Sequence, residues 1–296
     1  MNGYAVIDKP RGVSSSRVTI GCRNALSRAL GYRVKCGHMG TLDPEAEGVL
    51  VVAFGKMPRL FDLIAQTPKR YRAELTFGQQ TDTLDRAGEI VATAALPTAD
   101  RVEHAVNQWI GTVMQVPPAY SAVHCNGARA YDLARQGKDV TLQAKQITIY
   151  ELSVIDRMLT DTGCAGIRLD VRCSSGTYIR SLCRDIALDA GSVGYMSALT
   201  RTECAGECLD RAVAPQVFES EPLRYLHPIE EKLQAYMPIC DADGEIARKI
   251  RCGIADSFGW EDGLRGVRID GRLYGVCNTT QGITKASINL WDDREN

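Results

Sequence analysis

The sequence predicts an α+β fold around a mixed or antiparallel sheet, and three patterns predict it. Apolar residues at helical spacing and stretches that alternate with period two are both present. They do not follow the regular strand–helix–strand rhythm of a parallel sheet. A proline- and acid-rich stretch then sets off a short, mostly β C-terminal segment.

The elements follow in order. Gly3 to Asp8 reads as a strand, and Ser14 to Ser16 offer caps for a helix in which Val18, Cys22, Ala25 and Ala29 recur until Gly31 stops it. A glycine-punctuated loop over 37–48 leads into a short β-branched run, Val49 to Phe54, that suits a buried strand. A short helix is expected near Met57 to Ile64. From Tyr71 to Phe77, Tyr71, Ala73, Leu75 and Phe77 alternate with Arg72, Glu74 and Thr76, a half-buried strand. Thr98 to Ile110 reads as a helix with Val102, Val106, Trp109 and Ile110 on one face, and Ala128 to Gln136 as a weaker one. Ile147 to Ile155 and Ile167 to Cys173 are strands, and Thr177 to Ala190 is a helix burying Ile179, Leu182, Cys183 and Ile186. Pro215, Pro222, Pro228 and Pro238, with Glu219, Glu221, Glu230 and Glu231, mark 213–238 as a linking region between a domain over 1–212 and a small one over 239–296. The last segment shows a helix, Glu245 to Arg251, and short strands including Val267 to Asp270 and Arg272 to Cys277.

The 296 residues are 45% apolar and 24% charged, which is ordinary globular composition with room for a full core. No apolar stretch approaches the roughly 18 residues of a membrane span, and no charged-then-apolar leader opens the chain, so a cytoplasmic protein is expected. The eleven cysteines are odd in number and scattered through apolar patterns, as reduced thiols are. Cys204 and Cys208 lack a second pair to complete a zinc site, and no metal is expected. A net charge of −1 excludes a generally basic nucleic-acid binder, but charge is uneven. Residues 1–40 carry Lys9, Arg11, Arg17, Arg23, Arg28, Arg33 and Lys35 against Asp8, and Arg168, Arg172, Arg180 and Arg184 form a second group, as a phosphate-tracking groove requires.

Asp43 is the candidate reactive group. Gly37, Gly40 and Gly48 permit backbone angles closed to other residues, while Pro44 fixes its own φ and pushes Asp43 toward an extended conformation. A carboxylate on a stiff loop against a sheet is a sound mount for chemistry, although Asp-Pro also initiates ordinary turns. Glu45 and Glu47 raise a second possibility, a paired-carboxylate hydrolase.

Gly37-His38-Met39-Gly40-Thr41-Leu42-Asp43-Pro44-Glu45-Ala46-Glu47-Gly48 resembles the catalytic motif of the TruB family, the bacterial tRNA pseudouridine-55 synthases. Val6 to Ser15 resembles the family's opening motif. Lys69-Arg70-Tyr71, Gly78 to Asp85, Pro117 to Ala122, Cys173 to Arg180 and Leu199-Thr200-Arg201 are similar to further family segments, in the expected order across residues 3–203.

The resemblance implies a pseudouridine synthase fold with a small C-terminal PUA-like RNA-binding domain. It implies an isomerase that acts on the T-arm stem-loop of tRNA as a monomer, with no obligatory protein partner and no cofactor. The residues themselves show no Walker or dinucleotide motif. Breaking a glycosidic bond wants a carboxylate facing an electron-poor sugar carbon. The residues leave open whether Asp43 attacks the ribose, deprotonates it or adds to the base. By resemblance Arg180 pairs with Asp43, and Tyr71 lies against the target base with its hydroxyl near the carbon that loses a proton. Tyr178 and Leu199 complete the pocket, Asp85 joins the polar network around Arg180, and His38 fills the gap left by the flipped base. Lys9 contacts phosphate or supports the loop. Residues 239–296 hold eight Lys/Arg against ten Asp/Glu, so their share of tRNA binding is expected to be small. Two other readings remain: the catalytic subunit of a guide-RNA-dependent pseudouridylation complex, and an RNA-binding or folding module.

Overall fold

The computed structural model describes residues 2–64, 67–121, 123–125, 128–129, 131, 136 and 142–291. The main body is one mixed sheet. Its strands are β1 (Gly3–Lys9), β2 (Cys36–Met39), β3 (Ala46–Phe54), β4 (Lys69–Phe77), β7 (Gly111–Gln115), β8 (Lys145–Thr160), β9 (Gly163–Cys173) and β10 (Gly194–Cys204), with two short edge pieces at 207–208 and 227–228. The spatial order is 227–228, β1, β3, β10, β4, β9, β8, β7, with β2 beside β3 and 207–208 beside β10. The pairings are antiparallel except β3 with β10, which run parallel over Ala46–Gly48 and Leu199–Arg201. A small hairpin, β5 (Gln79–Thr81) with β6 (Ile90–Thr93), stands apart.

One edge of β3 is shared. Its start pairs with β10, while Val51 to Phe54 pair with β2. The loop that joins β2 to β3 therefore emerges where three strands meet. That loop is shorter than the expected 37–48, because Gly37, His38 and Met39 lie in β2 and Ala46 to Gly48 already lie in β3. Gly48 has φ of +98°, and a Cβ there would stand 2.3 Å from the Arg201 carbonyl oxygen. Only glycine lets β10 come this close.

Helix α1 (Ser15–Leu30) is capped by the Ser14 hydroxyl and ends at Gly31 in the left-handed region, as its sequence signals. It packs Val18, Cys22 and Leu26 on one face of β1 and β3. On another part of the sheet, α2 (Ala99–Asn107) and α3 (Ile179–Asp189) bury Val102, Ala105, Val106, Leu182, Cys183 and Ile186 against Ala73, Leu75, Ile167 and Leu169. Helix α2 is shorter than expected. Ile110 lies beyond its end and is exposed, because Gly111 begins the edge strand β7. The weak helix expected over 128–136 falls largely outside the described residues, and Ala128–Arg129 pair as strand with His124–Cys125.

The stretch read as linking is ordered. It holds α4 (Pro215–Ser220) and α5 (Ile229–Gln234), with Phe218 buried beside Phe54 and Leu233 buried below β1. The C-terminal segment forms a four-stranded sheet, β11 (Ile239–Asp241), β12 (Gly263–Ile269), β13 (Arg272–Thr280) and β14 (Ile283–Asn289), with α6 (Gly244–Arg251) against it. It docks on the main body through Leu273, Val276 and Leu290 and through Asn2 Nδ2 donating to the Leu290 carbonyl at 2.6 Å. No helix among the described residues is long and apolar enough to cross a membrane.

Candidate active site

The loop over 40–45 is pinned at three points. Ser15, buried at the start of α1, donates to the Leu42 carbonyl at 2.7 Å and accepts from its N–H at 2.9 Å. Lys9, wholly buried at the end of β1, donates to the Pro10 and Pro44 carbonyls at 2.9 and 3.3 Å. The Gly12 N–H also reaches Pro44. Arg201 donates to the Gly40 carbonyl at 2.8 Å and to the Val49 carbonyl at 2.8 Å. Lys9 is thus a support of the loop rather than a phosphate contact, and its burial brings its pKa down to about 8.

Pinned this way, Asp43 faces a cavity of about 280 Å³. Arg180, the second residue of α3, lies 2.9 Å from Asp43 Oδ2. Its other hydrogen bonds go to the Thr83 and Tyr120 carbonyls at 3.0 Å each, and Asp85 stands 3.8 Å behind it. Asp85 is itself held by the Thr83 hydroxyl at 2.7 Å and the Ala87 N–H at 3.0 Å. The guanidinium is therefore locked from behind, with one side turned to Asp43. Gln115, buried at the end of β7, accepts from the Tyr178 N–H at 2.9 Å and donates to its carbonyl at 3.1 Å, which fixes the start of the helix that carries Arg180.

The floor is apolar. Tyr71 on β4 and Leu199 on β10 are buried there, with Leu42 and Ile179. Tyr71 sits directly across from Arg201 in the antiparallel ladder. Burial pushes the Tyr71 phenol up to about 12, and the nearby Arg201 charge works against that rise. Tyr178 lines the wall, half-buried, and burial raises its phenol pKa as well.

Asp43, Tyr71, Arg180, Tyr178 and Leu199 thus meet at one cavity, with Asp85 and Lys9 immediately behind it. His38 does not line it. It lies on β2 opposite Val52, half-buried, with ring Nδ1 buried and without a hydrogen-bond partner among the described residues, and burial together with the Arg201 charge lowers its pKa. The paired-carboxylate reading fails. Glu45 is held by Arg11 at 3.1 Å and Arg86 at 3.9 Å, Glu47 accepts from the Thr200 hydroxyl, and Asp43 is the sole carboxylate among the described lining residues. Of the second basic group, Arg180 lines the cavity and the other three are paired with acids. Arg168 pairs with Glu74 and Asp156, Arg172 with Glu151, and Arg184 with Asp185.

Sequence reasoning placed Ser15, Lys69 and Arg201 only within family segments or, for Ser15, as a possible helix cap, and gave none of them nor Gln115 a part in the site. Strand alternation held a signal for two of them. Lys69 is two residues from Tyr71, and Arg201 is two from Leu199, so each shares the face of a pocket residue. Ser15 and Gln115 act on the backbone of distant segments, and nothing local marks that.

The TruB family pseudouridylate synthase N-terminal domain model matches residues 27–179. A tRNA pseudouridine synthase B from Rickettsia bellii is 37% identical over 290 residues, covering 96% of both chains. One from Novosphingobium aromaticivorans is 35% identical over the full length of both. Among solved structures, a chain of an H/ACA RNP bound to a substrate RNA containing 2′-deoxyuridine is similar at a TM-score of 0.67, with 19% identity, 98% of this chain and 85% of that one covered. That likeness concerns the fold.

Proposed function

The chain belongs to the TruB family of pseudouridylate synthases, and we infer that it isomerises uridine to pseudouridine in tRNA, at position 55 of the T-loop. The observation that carries this reading is the Asp43–Arg180 pair at the mouth of a base-sized cavity floored by Tyr71 and Leu199.

A uridine stacked in a folded loop has to leave its stack, at a cost of a few kcal/mol. His38, placed beside the cavity rather than in it, takes up the gap among the remaining bases. The flipped uracil rests on Tyr71 and Leu199. Asp43 acts where the glycosidic bond breaks, while Arg180 holds the carboxylate in place. The detached base turns and rejoins the sugar through C5. The C5 proton then passes to solvent by way of the Tyr71 hydroxyl, which gives up its own proton as it takes that one; the C5–H electron pair restores the ring double bond, and N1 gains a proton from solvent, so the product is an isomer of the substrate. No redox or group-transfer partner enters this balance.

Residues 1–212 form the catalytic domain in this reading, 213–238 join it to the C-terminal part, and 239–296 supply a small PUA-like RNA-binding domain. The protein works in the cytoplasm as a monomer on the T-arm stem-loop. A guide-dependent role is not favoured. Relatives 35–37% identical over nearly the whole chain carry the name tRNA pseudouridine synthase B, whereas the H/ACA likeness is one of fold.

Purified protein and a T-arm hairpin tritiated at the uridine C5 test this directly. Release of tritium to water without any guide RNA is expected. No release from the hairpin, with release only when a guide and partner proteins are added, would overturn it.

A further inference from the structure

Arginines on the outer face of the sheet are paired with acids, as Arg180 is in the site, but two further cations at the site are not. Arg70 pairs with Asp170 and Glu151, Arg168 with Glu74, and Arg172 with Glu151. Lys69 and Arg201 have no carboxylate within 4 Å among the described residues. Arg201 bonds to the Gly40 and Val49 carbonyls and to the Tyr71 phenol, none of them an acid, and Lys69 Nζ donates to the Ser175 hydroxyl at 3.2 Å. The two cations flank one spot: a Cβ on Gly40 would lie 3.2 Å from an Arg201 nitrogen and 3.3 Å from Lys69 Nζ. Burial, together with the Arg201 charge, lowers the Lys69 pKa. A buried and a half-buried cation side by side without an acid are costly until an anion arrives.

Their position says which anion. The buried floor accepts the base, so the sugar–phosphate chain of a flipped nucleotide must leave past the rim, where Thr41, Ser175 and Gly176 are exposed. Lys69 reaches that rim through Ser175, while Arg201 stays buried beneath. A uracil carbonyl carries only a partial charge, whereas a backbone phosphate carries a full one and suits an ammonium flanked by a hydroxyl. We propose that Lys69, with Ser175, forms a subsite for the RNA backbone phosphate attached to the flipped uridine. The subsite rests on the RNA-modifying reading above.

The test is binding of T-arm hairpins to the full chain carrying Asp43→Asn, which stops turnover. One hairpin is native, one carries neutral methylphosphonates at the two phosphates flanking the target uridine, and one carries them in the stem. Lys69→Gln and the flanking methylphosphonates should each weaken binding roughly tenfold, and together no more than either alone. Lys69→Arg should retain the response to the flanking methylphosphonates. The salt slope of log K should shrink by about 0.7 in Lys69→Gln. Independent, additive losses would overturn the subsite, as would a chain with Lys69 intact that responds equally to flanking and stem methylphosphonates. Wild-type conversion of the native hairpin, run alongside, separates the two readings. If product forms but the coupling is absent, the subsite alone falls; if no product forms, both fall.

Discussion

Arg180 and Asp43 meet at 2.9 Å, yet their side chains differ sharply in exposure, 7% against 41%. The guanidinium is enclosed by the Thr83 and Tyr120 carbonyls and by Asp85, while the carboxylate stays open to the cavity. One partner is thus fixed by the fold, and the other is oriented by it but left accessible to a substrate.

Asp43→Asn preserves the size of the side chain and the loop anchors at Gly40, Leu42 and Pro44. Hairpin affinity should change little, while tritium release from C5 should fall by ~10³-fold or more. Release near the wild-type rate would remove Asp43 from the chemistry.

Arg180→Gln strips the partner from a buried Asp85 and a half-open Asp43. A loss of about 3 kcal/mol in urea unfolding is expected, at the low end for breaking a buried pair because water reaches Asp43. Arg180→Lys should recover part of that stability but little activity, since one ammonium cannot replace a planar fork.

Gln115→Ala leaves the Tyr178 N–H and carbonyl without their partner at the entry to α3. Unfolding midpoints should report a cost of about 2 kcal/mol. Turnover should drop with binding of stem RNA unchanged, because the residue displaced is Arg180 and not a phosphate contact.

Lys9 provides a pH test. Burial lowers its folded pKa to about 8, below that of the unfolded chain, so between about pH 8 and 10.5 the unfolded state binds more protons and this group's contribution to stability rises with pH. Relative to Lys9→Met, the wild type should gain up to about 3 kcal/mol across that window. A stability difference that stays flat from pH 7 to 10 would show that Lys9 is not perturbed by burial.

Much of this architecture is written locally. The period-two run from Tyr71 to Phe77, the Ser14 cap and Gly31 stop of α1, and the buried face of α3 need only neighbours a few residues away, and each is found as the sequence predicts. The resemblance named Asp43, Tyr71, Arg180, Tyr178 and Leu199 because those residue types sit in short motifs, and the cavity gathers all five. Two expectations failed where a local pattern met a tertiary demand. Ile110 continues a helical face by spacing, but the chain has to turn at Gly111 to start an edge strand. Arg168 and Arg172 look like part of a groove in one dimension, but Glu74 and Glu151 on adjoining strands pair with them.

The sequence by itself determined most of the element types, the candidate carboxylate and, through its motifs, the family. Only the tertiary structure decided what holds that carboxylate and what surrounds it. Ser15, Lys9 and Arg201 reach the loop from three different elements, and Gln115 reaches α3 from β7. Hydrogen bonds between a side chain and a distant backbone carbonyl leave no periodicity in the chain, because any residue supplies the carbonyl. Such contacts exist only once the strands have been brought into register.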